Sequence, residues 1–207
     1  MASIVKFTPI CGVDSTYGAH CYILQLDDFK FMLDCGWDTS RPETHEFVLE
    51  KYKQYASEVD CILISFPDMK HMGGLPRFYK AILEQKKSGK QISKPPPPIY
   101  ASWPTKKMGQ LFLYDYFLNQ HNNKEFEDFT LDDVDSVFED SVFTSLKNNQ
   151  AKPLVNQTTS GVRSSGLGSL SITPISSGHM LGGTMWRIIK DDEQHILYRV
   201  VFLECQI

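Results

Sequence analysis

The strongest constraint on this chain lies in residues 61–76, CILISFPDMKHMGGLP. The apolar run that starts at Cys61 closes at Ser65, and Pro67 ends it. A run this short and continuous reads as a strand covered on both faces, as in the parallel part of a sheet. Polar side chains then gather in a loop at Asp68, Lys70 and His71, and Gly73-Gly74-Leu75-Pro76 opens a helix expected over 75–87.

The flanking pattern agrees with an α/β or α+β domain. Residues 21–26 and 29–34 are β-rich runs joined at Asp27-Asp28, a hairpin signal without the usual glycine. The second run stops before Gly36, in a loop carrying Asp34, Cys35, Trp37 and Asp38. Apolar spacing predicts an amphipathic helix over 44–57. A strand at 99–101 follows Pro95 to Pro98, then a helix over 105–118. The capping-box pattern Thr130-x-x-Asp133 starts another helix, expected to reach about Lys147. A polar loop is expected over 148–168, and strands at 169–174, 184–190 and 195–203. Trp37, Trp103 and Trp186 read as core or pocket wall.

Composition excludes several classes. With 207 residues, 21 Lys and Arg against 25 Asp and Glu give a net charge of −4, so no histone-like attraction to nucleic acid operates. Charge is nonetheless uneven. Residues 70–107 hold nine cations against Glu84 alone, which leaves open either solvated helix faces or an RNA-contacting patch including Lys86, Lys87 and Lys90. Residues 122–140 hold eight acids against Lys124, consistent with a surface helix and its lead-in. Five cysteines (Cys11, Cys21, Cys35, Cys61 and Cys205) include no CxxC pair, which points to a reducing compartment. No apolar run approaches the ~18 residues needed to span a bilayer, and no signal-peptide core is present, so a soluble intracellular chain without membrane contact is expected. Asn156-Gln157-Thr158 then matches a glycosylation pattern by chance. Neither a GxSxG elbow nor a P-loop occurs, and Gly166-Leu167-Gly168 lacks the third glycine of a dinucleotide fold.

The strand–loop–helix at 61–76 resembles the HxHxDH motif of the metallo-β-lactamase superfamily. FMLDCG at 31–36 is similar to that family's strand ending in Asp before a glycine, and SGHMLGGT at 177–184 to its motif with a histidine on a loop between strands. Taken together, LDCGWD, HMGGLP, KKMGQLFLYD, FTLDDVD and GHMLGGTMW resemble the β-CASP branch, and within it the subunit 2 family of the cleavage and polyadenylation specificity factor. The resemblance runs from Ile4 to about Tyr198. It implies an αββα sandwich of the metallo-β-lactamase type, of which only the N-terminal portion is present. Residues 1–207 would be an incomplete metallo-β-lactamase-like domain, lacking the β-CASP insertion and the C-terminal regions.

The family's metal ligands would fall at 66, 68, 70 and 71, at 179, and three residues after Tyr198. Here those positions are Phe66, Asp68, Lys70, His71, His179 and Val201. Phe66 offers no lone pair, and Lys70 puts a cation where a carboxylate should offset metal charge. The resemblance therefore implies a pseudo-enzyme with zinc lost, no catalytic residue, and a vestigial pocket of Asp34, Asp68, His71 and His179. The Lys70 amine is expected to neutralise Asp34 or Asp68 in the metal's place. Asp34 reads equally as a loop carboxylate that accepts backbone N–H bonds.

By the same resemblance the chain is a non-catalytic structural subunit acting in pre-mRNA 3′-end processing in the nucleus. Its partners would be the endonuclease-bearing subunit 3 of that complex and the scaffold symplekin, with pre-mRNA contact possible. The alternative is a metal-dependent RNA endonuclease or other hydrolase of the superfamily, built on a remodelled site of Asp68, His71 and His179.

Overall fold

A computed structural model describes residues 4–13, 18–87, 95–123, 126–154, 169–191 and 194–199. Strands β1 (Val5–Cys11), β2 (Cys21–Leu26), β3 (Phe29–Leu33), β4 (Cys61–Leu63), β5 (Ile99–Ser102) and β6 (Phe143–Leu146) form a six-stranded sheet in chain order. The first three are antiparallel; β3 to β6 run parallel. Strands β7 (Lys152–Leu154), β8 (Leu170–Ser176), β9 (Thr184–Lys190) and β10 (Gln194–Tyr198) form a four-stranded antiparallel sheet. Parallel neighbours need crossovers, and helices α1 (His45–Tyr55), α2 (Met69–Met72), α3 (Leu75–Lys87), α4 (Trp103–Asn123) and α5 (Leu131–Phe138) provide them.

The period-2 alternation of strand side chains divides the interior into two cores. Ile23, Met32, Ile62, Ile64, Ile99 and Phe143 turn to the helices, where they meet Val48, Tyr52, Phe78, Leu113 and Val137. Leu24, Leu26, Phe31, Leu33 and Leu63 turn the other way, onto Leu170, Ile172, Trp186 and Ile188 of the second sheet. Each fully buried side chain of this size contributes about 1.5–3 kcal/mol. The layers described are therefore helices, sheet and sheet, a mixed α/β arrangement. Among the described residues, no helix is long and apolar enough to cross a membrane.

The hairpin between β2 and β3 closes without glycine because Asp27 takes the left-handed conformation (φ 51°) and its carboxylate is held from two sides. It accepts the Ile4 N–H at 2.8 Å and pairs with the Lys190 ammonium from β9, which keeps it below the usual carboxylate range. The helix expected from Thr130 to about Lys147 is shorter than that. Thr130 caps it through a capping box with Asp133, but it ends at Phe138, and residues 143–146 become β6. There Phe143 and Leu146 are buried while the backbone pairs with β5, an outcome that tertiary contacts decide rather than local propensity. The helix expected at 105–118 extends over Trp103–Asn123. Trp37 and Trp186 are core, whereas Trp103 is 62% exposed and forms one wall of a cleft of about 330 Å³. The glycosylation-like triplet at Asn156 and the Gly166-Leu167-Gly168 run lie outside the described residues.

One close approach positions the site. The loop after β3 crosses the loop around α2 through Cys35 N–H to His71 O (2.7 Å) and Trp37 N–H to Met69 O (2.8 Å), and the residue before β2 joins them through His20 N–H to Lys70 O (2.7 Å). Gly36 sits at the crossing, where a Cβ would lie 1.8 Å from the Lys70 carbonyl oxygen. Gly36→Ala is expected to destabilise the fold by about 2–3 kcal/mol or more, because backbone rather than a flexible side chain must yield. Urea denaturation checks it by a lowered midpoint.

Candidate functional site

The residues expected to form a pocket stand at the ends of β3 and β4, beside the loop between β8 and β9. Asp34 follows β3 in the left-handed conformation (φ 57°) and is fully buried. Its Oδ1 accepts the Ser65 N–H at 2.7 Å, and its Oδ2 accepts the hydroxyls of Ser65 and Tyr198, each at 2.7 Å. Burial pushes its carboxyl up, against the opposing pull of the His71 charge and of these hydrogen bonds. Asp34 makes the backbone contact of a loop carboxylate and lies within electrostatic reach of His71, whose titration its charge affects.

Asp68 caps α2, accepting the N–H groups of Lys70 (2.9 Å) and His71 (3.1 Å). Its Oδ1 also bonds His71 Nδ1 at 2.6 Å. Burial alone would raise this carboxyl, but the bond from His71 and its charge hold it below the usual range. His71 is raised in turn. Burial would lower it, and the Asp68 bond together with the charges of Asp34 and Asp68 outweighs that. Among the described residues, its buried Nε2 has no hydrogen-bond partner.

Phe66 separates the two histidines. Its ring centroid lies 5.0 Å from that of His71 and 5.8 Å from that of His179, and the residue is 4% exposed. His179 itself is exposed on its loop. Gly183 leaves room for the ring, since a Cβ there would lie 2.6 Å from Phe66 Cε1. Among the described residues, no three His, Cys, Asp or Glu side chains are arranged to hold a metal ion. Val201 lies outside the described residues.

Of the two carboxylates that Lys70 is expected to neutralise, Asp34 or Asp68, the first is bonded by other groups. The bonds to that carboxylate come from Ser65 and Tyr198, while Lys70 is exposed and gives its carbonyl to the backbone crossing. The physical reason is α2. Capping by Asp68 starts a helical turn that sends residue 70 outward and residue 71 inward. The basic stretch is likewise not one surface. The Arg77 guanidinium is buried 3.9 Å over the Trp37 ring and bonds Asp128 and the Gly73 carbonyl. Lys106 is buried against Asp140 and the Phe143 carbonyl. Lys86 and Lys87 are exposed in the last turn of α3, and Lys90 lies outside the described residues.

Three site residues escaped the sequence: Ser65, Tyr198 and His20. His20 is stacked on His71 with centroids 4.8 Å apart, and its Nδ1 lies 2.9 Å from the Tyr22 hydroxyl. Burial, and then the neighbouring His71 charge, push it down to about 4. The only sequence signals are a polar residue closing each of two apolar runs and a histidine opening a third.

The two stacked rings are therefore shifted in opposite directions. His71 is raised above the ordinary histidine value of 6.5, and His20 stays neutral down to about 4. Between 6.5 and about 4 the unfolded chain binds the His20 proton and the folded chain does not, so His20 makes stability rise with pH across that window. His71 acts oppositely, its contribution being lost as pH rises through its raised value. Imidazole ¹⁵N NMR checks the pair by two separated titrations. Asp34→Ala, which strands the Ser65 and Tyr198 donors, is expected to cost about 3–5 kcal/mol in denaturant unfolding.

A family model described as the metallo-beta-lactamase superfamily domain matches residues 23–204. The chain is similar to the probable cleavage and polyadenylation specificity factor subunit 2 of Drosophila melanogaster, 39% identical over 202 residues, covering 98% of this chain and 23% of that protein. It is also similar to the Arabidopsis thaliana subunit 2 (35% over 205 residues, 97% and 23%) and to cleavage factor two protein 2 of Schizosaccharomyces pombe (30% over 177 residues, 86% and 18%). The chain thus spans about a quarter or less of the length of these relatives. Among solved structures, the metallo-beta-lactamase fold protein YhfI of Bacillus subtilis superposes with a TM-score of 0.52 at 18% identity, covering 95% of this chain and 62% of that one, a likeness of fold alone. With most of its length accounted for by that family model, the chain belongs to the metallo-beta-lactamase superfamily.

Proposed function

We propose that this chain serves mRNA 3′-end processing as part of a subunit 2-type protein of the cleavage and polyadenylation specificity factor, in a structural rather than a catalytic role. The similarity to subunit 2 proteins from insect and plant supports the process. The non-catalytic reading is carried by the Phe66 ring between His71 and His179. A two-metal hydrolytic centre needs nitrogen and oxygen donors converging on both ions with a position left for water. Here a hydrocarbon ring lies between the two histidines, one oxygen of Asp68 is committed to His71, and the cation at position 70 is exposed. These side chains do not fit a dinuclear zinc centre. On this reading the protein is nuclear and assembles with the endonuclease-bearing subunit 3 and symplekin.

One observation favours the hydrolase alternative. His71 has its Nδ1 fixed by a carboxylate while its buried Nε2 has no partner among the described residues, the way a metal-ligating histidine is commonly oriented. Metal content decides between the two. Protein loaded with zinc, dialysed and assayed by elemental analysis is expected to retain less than about a tenth of an equivalent, with no change on His71→Ala. One equivalent, lost in His71→Ala or His179→Ala, would instead establish a rebuilt single-metal site.

A further inference from the structure

We propose that Cys11 and Cys21 constitute a thiol-modification site, in which Cys11 is attacked by a low-molecular-weight disulfide and Cys21 resolves the product into a cross-strand disulfide. The two residues stand directly opposite each other in the antiparallel pairing of β1 and β2. Facing residues in such a pair have Cα atoms about 4.5–5.5 Å apart, inside the roughly 4.4–6.8 Å that a disulfide spans. The register shifts between Pro9 and Cys11, so the pairing at Cys11 is re-established after an irregularity that ends at this cysteine.

Accessibility divides the labour between the two thiols. Cys21 is fully buried, whereas Cys11 is partly exposed and lines a cavity of about 390 Å³ whose wall includes Arg41 and His45. Among the described cysteines, Cys35 and Cys61 are buried as well. Burial, and then the Cys11 thiol, push the Cys21 thiol up, in agreement with the facing positions of the two residues across the strand pair.

The chemistry balances as two exchanges. The Cys11 thiolate attacks one sulfur of the small disulfide, forming a mixed disulfide and releasing one small thiol. Cys21 then loses its proton and attacks the Cys11 sulfur. The protein S–S bond forms, the mixed S–S bond breaks, and the second small thiol leaves with that proton. The two protein thiols are oxidised by two electrons, and the small disulfide is reduced.

The test treats the whole 207-residue chain, natively folded, with oxidised glutathione. Acid quenching, alkylation of the remaining thiols and digestion without reduction precede mass mapping. The expected result is a Cys11–Cys21 linked peptide lighter by two hydrogen atoms, no retained glutathione, and a native thiol titre reduced by two. Cys21→Ala should trap Cys11 as a stable glutathione adduct, and Cys11→Ser should leave Cys21 unreacted. A stable glutathione adduct on Cys11 in the unsubstituted chain, a Cys11–Cys35 link, or both thiols recovered free would each overturn the proposal. The unsubstituted chain decides the matter even if the Cys21 variant fails to fold.

Discussion

The carboxylate of Asp34 is the constraint on which the site end of this molecule depends. It lies where β3 stops, has no exposure to solvent, and gathers donors from the residue after β4's apolar run and from β10 of the opposite sheet. A buried carboxyl is costly unless its oxygen atoms are satisfied, so its three bonds fix the relative position of the elements that supply them. Two further bonds reinforce the junction. The Trp186 indole N–H reaches the Ile64 carbonyl at 3.1 Å, and the Thr184 N–H reaches the Ser65 carbonyl at 2.9 Å. The ends of the two sheets are thus joined by hydrogen bonds as well as by apolar packing. The crossing at Gly36 then holds α2, and with it Asp68 and His71, against that junction.

Within this frame, the residues that distinguish the site are interdependent. Phe66 lies between His71 and His179 and leaves His71 in apolar surroundings on that side. His71 is raised because Asp68 and Asp34 both stabilise the charged ring, against the opposing effect of burial. His20, stacked on it, must then stay neutral, since a second positive ring at that spacing meets repulsion as well as burial. Asp68 does two things at once, capping α2 and orienting His71, so the local backbone and the local charge are set by the same carboxylate.

Elements whose signals were local were legible in the sequence. The strand that opens at Cys61, the helix at 75–87 and the Thr130 cap stand where the residues place them, although the strand ends at Leu63, before the run closes at Ser65. What needed partners distant in sequence was not. Residues 143–146 continue an apolar helix pattern and become a strand because β5 offers an unpaired edge. Arg77 and Lys106 look like members of a basic stretch, and only the fold shows aromatic rings and acidic groups enclosing them. Lys70 reads in the sequence like its neighbour His71, and only the turn of α2 shows the first exposed and the second buried. Phe66 was identifiable as a missing ligand from the family pattern, but its position between the two histidines required the second sheet.

The two-sided first sheet also imposes an order on biosynthesis. Its helix-facing side acquires cover progressively, as each crossover follows the strand it serves. The opposite side, with Leu24, Leu26, Phe31 and Leu33, packs among the described residues against Leu170, Ile172, Trp186 and Ile188, well over a hundred residues later in the chain. At translation rates of roughly 5–20 residues per second, that surface stays wet for on the order of ten seconds or more after it leaves the ribosome. A nascent chain in this interval presents a broad apolar sheet face, a surface on which chaperones act and on which premature association begins. The late strands therefore do more than pair with one another: their arrival covers the apolar face that the first strands leave open.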